Sequence, residues 1–403
     1  MTAVRQASVA STVVGSGQAD RLKVSLLSEE AFAAYRDPWN ALLDESASES
    51  FFLRWEWAYS FWRTIDSRGA TLLVLVCHDG EQLVGIAPLY AYPSTFMRWP
   101  VRKITFLGDR VASDYMDFIV RPGYEARCCQ SVLRHLRQDC PVRYELIELD
   151  AVCSDSGLYR YASTRCATEG STSIAFRFQC PRAPLQSSFE DYLKGLSSST
   201  RYAIGRRERG FASEFPRHQV THVDMTREPG LLDALFELHR RRWETVTTAA
   251  STFYSDFRMR FNRDLLGRLG DGDGYFTVVS TDGRPVSIVY TFAYKKNAFF
   301  YQNGWAPEFA RHGVGLIAIQ HAIRHAARAG FSSFDFLRGE EDYKFKFCRD
   351  VRNAYVVRIF GNGVRGRLLG MLEAAKQRVK RGLRDAGAEP AALGAGGAQA
   401  VPR

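Results

Sequence analysis

FDFLRGEEDYKFKF, residues 334–347, holds the densest mixture of aromatic and titratable side chains in the chain. Phe334 and Phe336 alternate with Asp335 and Leu337, the period of a half-buried strand. Gly339 breaks the alternation, and Glu340, Glu341 and Asp342 form an acidic turn. Tyr343, Phe345 and Phe347 then recur at period two with Lys344 and Lys346 between them, which predicts a second strand. Carboxylates, a phenol and ammonium groups beside apolar surface are the setting in which pKa values move and chemistry is done.

Working outward, the elements before this stretch have a counterpart in the first half. TLLVLVC and QLVGIAPLYAY flank Asp79-Gly80, and YFTVVST and PVSIVYTFAY flank Asp282-Gly283. An Asp-Gly step between two apolar runs predicts a β-hairpin. In the first half the hairpin is followed by a predicted strand at 117–120, a helix at 124–138 and a strand at 144–149. In the second half it is followed by a strand at 298–304, a helix at 314–329 stopped by Gly330, and the strand at 334–337. One order repeated with the turns 203 positions apart (282 − 79) argues for two copies of one unit. A single large mixed sheet is the structural alternative. Flanking these, Ser28 is placed to cap a helix running to Leu43 with a break near Pro38. FFLRWEWAYSFWRTI (51–65) reads as an aromatic core helix. SSSTRYAIGRRERGF (197–211) reads as a capped basic helix ending at Gly210, and 231–243 as a further helix.

Composition narrows the function classes. At 403 residues and 46% hydrophobic, the chain can bury two cores. A net charge of +10 favours anionic partners without choosing among them. The eight cysteines form no CxxC or His/Cys cluster, so no metal site, reduced thiols and a cytoplasmic location are expected. No apolar run approaches the length of a membrane span, and the first 20 residues lack a signal-peptide core. No basic–aromatic platform points to nucleic acid.

The stretch 334–347, with the upstream YQNGWAPEF and HGVG, resembles the C-terminal signature of a branch of the GNAT superfamily, the acetyltransferase-like family first associated with bacterial cellulose biosynthesis proteins. The resemblance extends to LHRRRW (238–243) and to the arginines at 201–209, and departs at Phe347, where the family usually has Trp. It implies an α/β fold with mixed sheets and two tandem GNAT-like domains, placed at 21–184 and 185–362, between a disordered 1–20 and a basic helix and tail at 363–403. It implies acetyl-CoA or another acyl-CoA as co-substrate, held between two splayed strands. Gln302, Asn303 and the run Arg311-His312-Gly313-Val314-Gly315 would bind it, because a glycine-lined helix N-terminus suits a pyrophosphate. The basic residue sits one position later than the usual pattern, where Ala310 stands. Tyr343 is the candidate acid for the leaving thiolate; Glu340, Glu341, Asp335 and His239 are candidate bases. Arg201, Trp243 and Lys344 are candidate acceptor or anion contacts. The first unit, with Arg121-Pro122-Gly123-Tyr124-Glu125 at the equivalent place, is expected not to bind CoA.

The resemblance implies acyl transfer to a sugar, nucleotide-sugar or polysaccharide precursor. The alternatives are a Fem-type transferase using aminoacyl-tRNA, the one reading with a tRNA partner, and a non-catalytic accessory protein of exopolysaccharide synthesis. The helix at 364–385 carries Val364, Leu368, Leu372, Ala375, Val379 and Leu383 on one stripe. Its seven basic residues against Glu373 and Asp385 give a net +5. Two readings stay open for it: docking of that stripe on the second unit's sheet, or peripheral contact with an anionic inner membrane.

Overall fold

The computed structural model describes residues 22–66, 68–166, 171–185, 188–246, 255–339 and 341–385. The disorder expected at 1–20, the tail at 386–403 and Glu340 fall outside the described residues. The first half runs β1 (Lys23–Leu26), α1 (Glu29–Ala33), α2 (Arg36–Glu45), a 3-10 turn (Phe51–Leu53), α3 (Trp55–Thr64), β2 (Thr71–Asp79), β3 (Gln82–Phe96), β4 (Trp99–Phe106), β5 (Ile119–Val120), α4 (Glu125–Gln138), β6 (Leu146–Cys153), α5 (Gly157–Cys166) and β7 (Thr172–Pro184). The second runs α6 (Phe189–Lys194), α7 (Ser198–Glu214), β8 (His218–Asp224), α8 (Gly230–Val246), α9 (Asp256–Leu266), β9 (Gly274–Thr281), β10 (Arg284–Tyr294), β11 (Asn297–Trp305), a 3-10 turn (Pro307–His312), α10 (Val314–Arg328), β12 (Ser333–Asp335), α11 (Asp342–Phe347), β13 (Asp350–Phe360) and α12 (Val364–Asp385).

The strands join into one 13-stranded mixed sheet in the order β1-β2-β3-β4-β6-β13-β7-β12-β11-β10-β9-β8, with β5 on β3. That order reads alike from both ends. Two like units and one large sheet are therefore the same structure. Each half ends in a long strand that crosses into the other's territory. β13 pairs with β6 of the first half from Leu146↔Phe360 to Ala354↔Cys153, and β7 pairs with β12 of the second through Asp335↔Arg182. The two crossing strands lie antiparallel at the centre, from Asp350↔Arg182 to Ile359↔Thr172.

Local chemistry explains most elements. The Ser28 hydroxyl accepts from the Ala31 N–H, and the Ser197 hydroxyl from the Thr200 N–H, so both cap helices. Both Asp-Gly steps lie at hairpin tips; Asp282 and Gly283 have φ of 51° and 75°, as a primed two-residue turn requires. The aromatic segment bridges the units: Phe51 stacks on Phe292 of β10 with centroids 4.4 Å apart, and Trp57 lies edge-on to Tyr301 of β11 at 5.5 Å. Burying rings of this size stabilises by about 2 kcal/mol each.

Several expectations are corrected. The third strand of the first half is β4, not the segment at 117–120, of which only Ile119–Val120 is strand. Its charged Lys103 hides the pattern, because the ammonium is paired with Glu148 of β6 at 2.9 Å. Residues 343–347 form α11, not a strand: Tyr343 and Phe347 turn inward four apart, and Phe345 between them is exposed. Helix α7 passes Gly210, where an added Cβ would meet only open space, and buries Phe211 before ending at Glu214. The break expected at Pro38 lies at Ala34–Tyr35; Pro38 sits in the first turn of α2, where its missing N–H has no helical partner to lose. Strand β8 and helix α9 had no reading in the sequence. Helix α12 docks on β13 and on Val101 and Leu146 of the first unit through Leu369, and leaves Val364, Leu368, Leu372 and Val379 exposed. The stripe expected to dock is thus the bare one.

Because each half lacks a central strand without the other, we expect one cooperative transition in urea, read by both fluorescence and far-UV circular dichroism. Two separated transitions would show that the halves are autonomous.

Candidate active site of the second unit

Strands β11 and β12 run parallel for three residue pairs, Asn297↔Ser333 to Phe299↔Asp335, and then part. β11 continues to Trp305 against β10 alone. Where it leaves β12 it carries a bulge: Thr291 faces Phe300 and Tyr290 faces Gln302, so Tyr301 is the extra residue. Bulges re-aim side chains and free backbone groups beside sites. Here the Asn303 N–H donates to the side-chain oxygen of its own neighbour, Gln302, at 3.0 Å. A substrate carbonyl could take that place.

The N-terminus of α10 closes this opening. Gly313 precedes it in the left-handed region, φ 65°, and a Cβ there would meet Arg207 Cδ at 2.7 Å. Arg207, from α7, therefore lies over the glycine. Its guanidinium has no hydrogen-bond or ion-pair partner among the described residues, and burial lowers its pKa. An uncommitted cation over a helix N-terminus is suited to a phosphate. Gly315 serves packing instead: a Cβ would meet the Trp305 ring at 2.8 Å. Arg311 and His312 turn away toward Glu214, at 2.6 and 3.5 Å. The residue that the sequence reading missed is thus Arg207, set among arginines of similar appearance. Arg201, its neighbour in that run, bonds the Leu196 and Lys194 carbonyls at the end of α6 rather than a site.

Beyond β12 the chain is held by a loop of the first unit, residues 107–118. The Asp335 carboxylate, 1% exposed, accepts from the Tyr115 hydroxyl and from the Leu337 N–H, both at 2.8 Å. Burial raises its pKa to about 6. With both oxygens engaged, it fixes Leu337 in its left-handed conformation, φ 55°. The buried Asp114 takes Arg338 at 2.6 Å through Nε and at 3.0 Å through the backbone N–H. Tyr301 donates to the Val111 carbonyl at 2.7 Å. Nothing in the sequence of this loop marks it.

Lys344 is buried, with Nζ 2.7 Å from the Arg338 carbonyl and 3.1 Å from Glu341. Tyr343, beside it, has its hydroxyl pKa raised by burial and by Glu341, with Arg242 opposing. Such a phenol keeps its proton at neutral pH until a strong base forms next to it. Arg242 lies over Trp305, 5.2 Å from the ring. His239 is buried, and burial lowers its pKa to about 3, which leaves a neutral imidazole of little basicity. The side chain of Trp243 lies outside the described residues.

In the first unit the matching place is filled from within. Glu125, at the start of α4, accepts from the Gly123 N–H at 3.0 Å, so a carboxylate stands where a phosphate would. The partly buried Asp117 accepts from the Gly157 and Leu158 N–H groups at the start of α5, at 3.0 and 3.2 Å, and desolvation raises its pKa to about 7. Beside it opens a cavity of about 310 Å³ whose lining includes Glu49, Asp117, Glu125, Asp155, Arg160 and Arg352. Tyr115, on its wall, is the residue that touches Asp335. The cavity thus adjoins the end of β12.

Residues 198–345 match the family model described as acetyltransferase (GNAT) domain. The second unit carries a GNAT domain. The chain accordingly carries a transferase domain. Solved structures share the fold over most of its length. The crystal structure of FemX has a TM-score of 0.57 at 11% identity, covering 82% of this chain and 96% of that one. A conserved protein of unknown function from Bacteroides thetaiotaomicron has 0.53 at 12%, covering 84% and 99%. The C-terminal domain of a putative lysylphosphatidylglycerol synthetase from Agrobacterium fabrum has 0.51 at 10%, covering 87% and 96%. No curated protein sequence matches the chain. At these identities the likeness is one of fold.

The raised carboxyl groups give a pH signature. An unfolded Asp titrates near pH 4. Between there and about pH 6 for Asp335, and about pH 7 for Asp117, the folded state holds protons that the unfolded chain has released. Their contribution to stability is complete below about pH 4 and is lost as pH rises through those values. Asp335→Asn should flatten the part of the urea-midpoint profile between about pH 4 and 6 relative to the parent. Parallel profiles would show that Asp335 is not protonated in the folded state.

Proposed function

We propose that the GNAT unit transfers an acyl group from acetyl-CoA or another acyl-CoA to an amine or hydroxyl of a polar acceptor. The observation that carries this reading is the opening between β11 and β12, closed at one end by Gly313, the first turn of α10 and the uncommitted Arg207. The donor would supply a thioester, whose acyl carbon is attacked while a thiolate departs. Arg207 and the α10 N-terminus hold phosphate, and the Asn303 N–H meets a carbonyl. Tyr343 gives its proton to the departing sulfur. Of the candidate bases, Asp335 has both oxygens committed and His239 is held neutral, so the acidic turn at Glu340 and Glu341 is the better source of a base. The cavity beside Tyr115 takes the acceptor. The resemblance to cellulose-associated proteins supports a sugar, nucleotide-sugar or polysaccharide precursor in that role; Lys344, buried and held by the Arg338 carbonyl and Glu341, is committed to the fold and not to an acceptor.

A second reading, aminoacyl-tRNA as donor, is favoured by one observation. Gly315 is closed by Trp305, and Arg311 and His312 are committed to Glu214, so the phosphate site is smaller than the sequence pattern implies. FemX shares the fold across nearly all of its chain. A catalytically silent accessory protein is the third reading.

Calorimetry with acetyl-CoA separates them. On the first reading the parent binds, and Arg207→Ala weakens binding about tenfold, the loss of one charge-assisted contact. Tyr343→Phe should bind as the parent does and turn over roughly 10²-fold more slowly. An absence of acetyl-CoA binding, with transfer from aminoacyl-tRNA, establishes the second reading. Absence of both establishes the third. Gly315→Glu is unsuited to this purpose because it collides with Trp305 and tests packing.

A further inference from the structure

Helix α12 is anchored by one side and bare on the other. Leu369, 3% exposed, packs with Val101, Leu146 and Phe360, and Glu373 meets Arg358 of β13 at 3.4 Å. A Cβ at Gly370 would meet the Phe360 ring at 3.2 Å, so that glycine lets the helix lie close. Opposite this anchor, Val364, Leu368, Met371, Leu372 and Val379 follow helical spacing along one face. All are exposed, Val364 by 86% and both Met371 and Val379 by 63%. At 100° per residue, Arg365 and Lys376 flank this stripe on one side, and Arg367 and Arg378 on the other.

A second, separate element lies next to it. The β3–β4 hairpin turns through Met97 and Arg98, both at positive φ, and presents Trp99, 49% exposed. Arg365 donates to the Pro100 carbonyl at 2.9 Å, which sets this tip against the first turn of α12. A cavity of about 490 Å³ beside that turn is lined by Arg137 and Arg143 as well as Arg365.

We propose that this surface docks on an anionic lipid bilayer. The helix lies in the plane of the interface with its stripe among the upper acyl chains, and Trp99 sits at headgroup level beside it. An apolar stripe bordered on both sides by cations, with a neighbouring exposed Trp, matches the layering of an anionic interface. A second copy of the chain fits the surface poorly, because it would press a helix of net +5 against another of the same charge. This inference is independent of the donor.

Sedimentation of the full chain with vesicles tests it. Binding is expected to vesicles of phosphatidylcholine mixed with phosphatidylglycerol, not to phosphatidylcholine alone, and to weaken as salt rises. Leu368→Asp with Met371→Asp should lower the partition constant by about tenfold or more, as should Arg367→Glu with Lys376→Glu. All four side chains are exposed, and Arg367 also donates to the Asn362 carbonyl at 2.8 Å, so circular dichroism and melting temperature are used to show that each variant is folded. Trp99→Ala should weaken binding and remove a vesicle-induced blue shift of the fluorescence; this arm stands should a helix variant fail to fold. The proposal is overturned if the parent stays in the supernatant at low salt, or if all the folded variants sediment as the parent does. It is also overturned if the stripe variants merely dissolve a dimer of a parent that ignores vesicles.

Discussion

The ion pair between Asp114 and Arg338 joins the halves of this protein beside the proposed acyl-transfer site. Asp114 is 1% exposed and Arg338 is the third residue beyond β12. Removing Arg338, itself a third exposed, would leave the Asp114 carboxylate buried without its counter-charge, which is strongly destabilising. With the Tyr115–Asp335 bond one residue along, it holds the chain between β12 and α11 in a course that it would not adopt alone. Leu337 at positive φ is the sign of that constraint, since a branched side chain pays for this conformation in steric strain. The orientation of Tyr343 and Lys344 follows from this course. The first unit thus acts on the second as a mould for the chain between β12 and α11.

Pseudo-symmetry shows how two like units diverge in use. The course of β6 also turns through a residue at positive φ, Ala151, before α5, as that of β12 does through Leu337 before α11. In the second unit the following helix offers Tyr343 and Lys344; in the first it offers Gly157 and Leu158, whose backbone is satisfied by Asp117. The helix after the parallel strand opens on Gly313 in one unit and, in the other, on Glu125, whose carboxylate accepts from the Gly123 N–H. Glu125 and Asp117 each fill with protein carboxylate a place in the first unit whose counterparts in the second carry none. The same backbone thus frames the proposed donor opening in one half and a polar cavity in the other.

Much of this was legible in the sequence because it is local. The Asp-Gly hairpins, the Ser28 and Ser197 caps and the apolar face of α10 are decided within a few residues. The strand exchange was not: β13 had no reading in the sequence, and β7 reads as a strand of its own half, so only pairing reveals the crossing. β4 was hidden by Lys103, whose charge is neutralised 45 positions away by Glu148. Arg207 and Arg201 are indistinguishable by type, and what separates them is that one meets helix carbonyls and the other a glycine from α10. The stripe of α12 was visible, but its direction depends on Gly366 and Gly370, small enough for the opposite side to approach β13.

The exchange of strands also sets an order of events during synthesis. β7 has both its sheet neighbours, β12 and β13, in the second half, and β6 must wait for β13; Leu146 meets Phe360 across 214 positions of chain (360 − 146). On the ribosome the first unit therefore emerges with β7 unpaired and β6 paired on its β4 side alone, and remains so until nearly the whole chain has been made. Contacts of such sequence separation form late and slowly, and open strand edges invite wrong partners in the interval. A nascent chain of this design depends on being shielded until its last strand arrives.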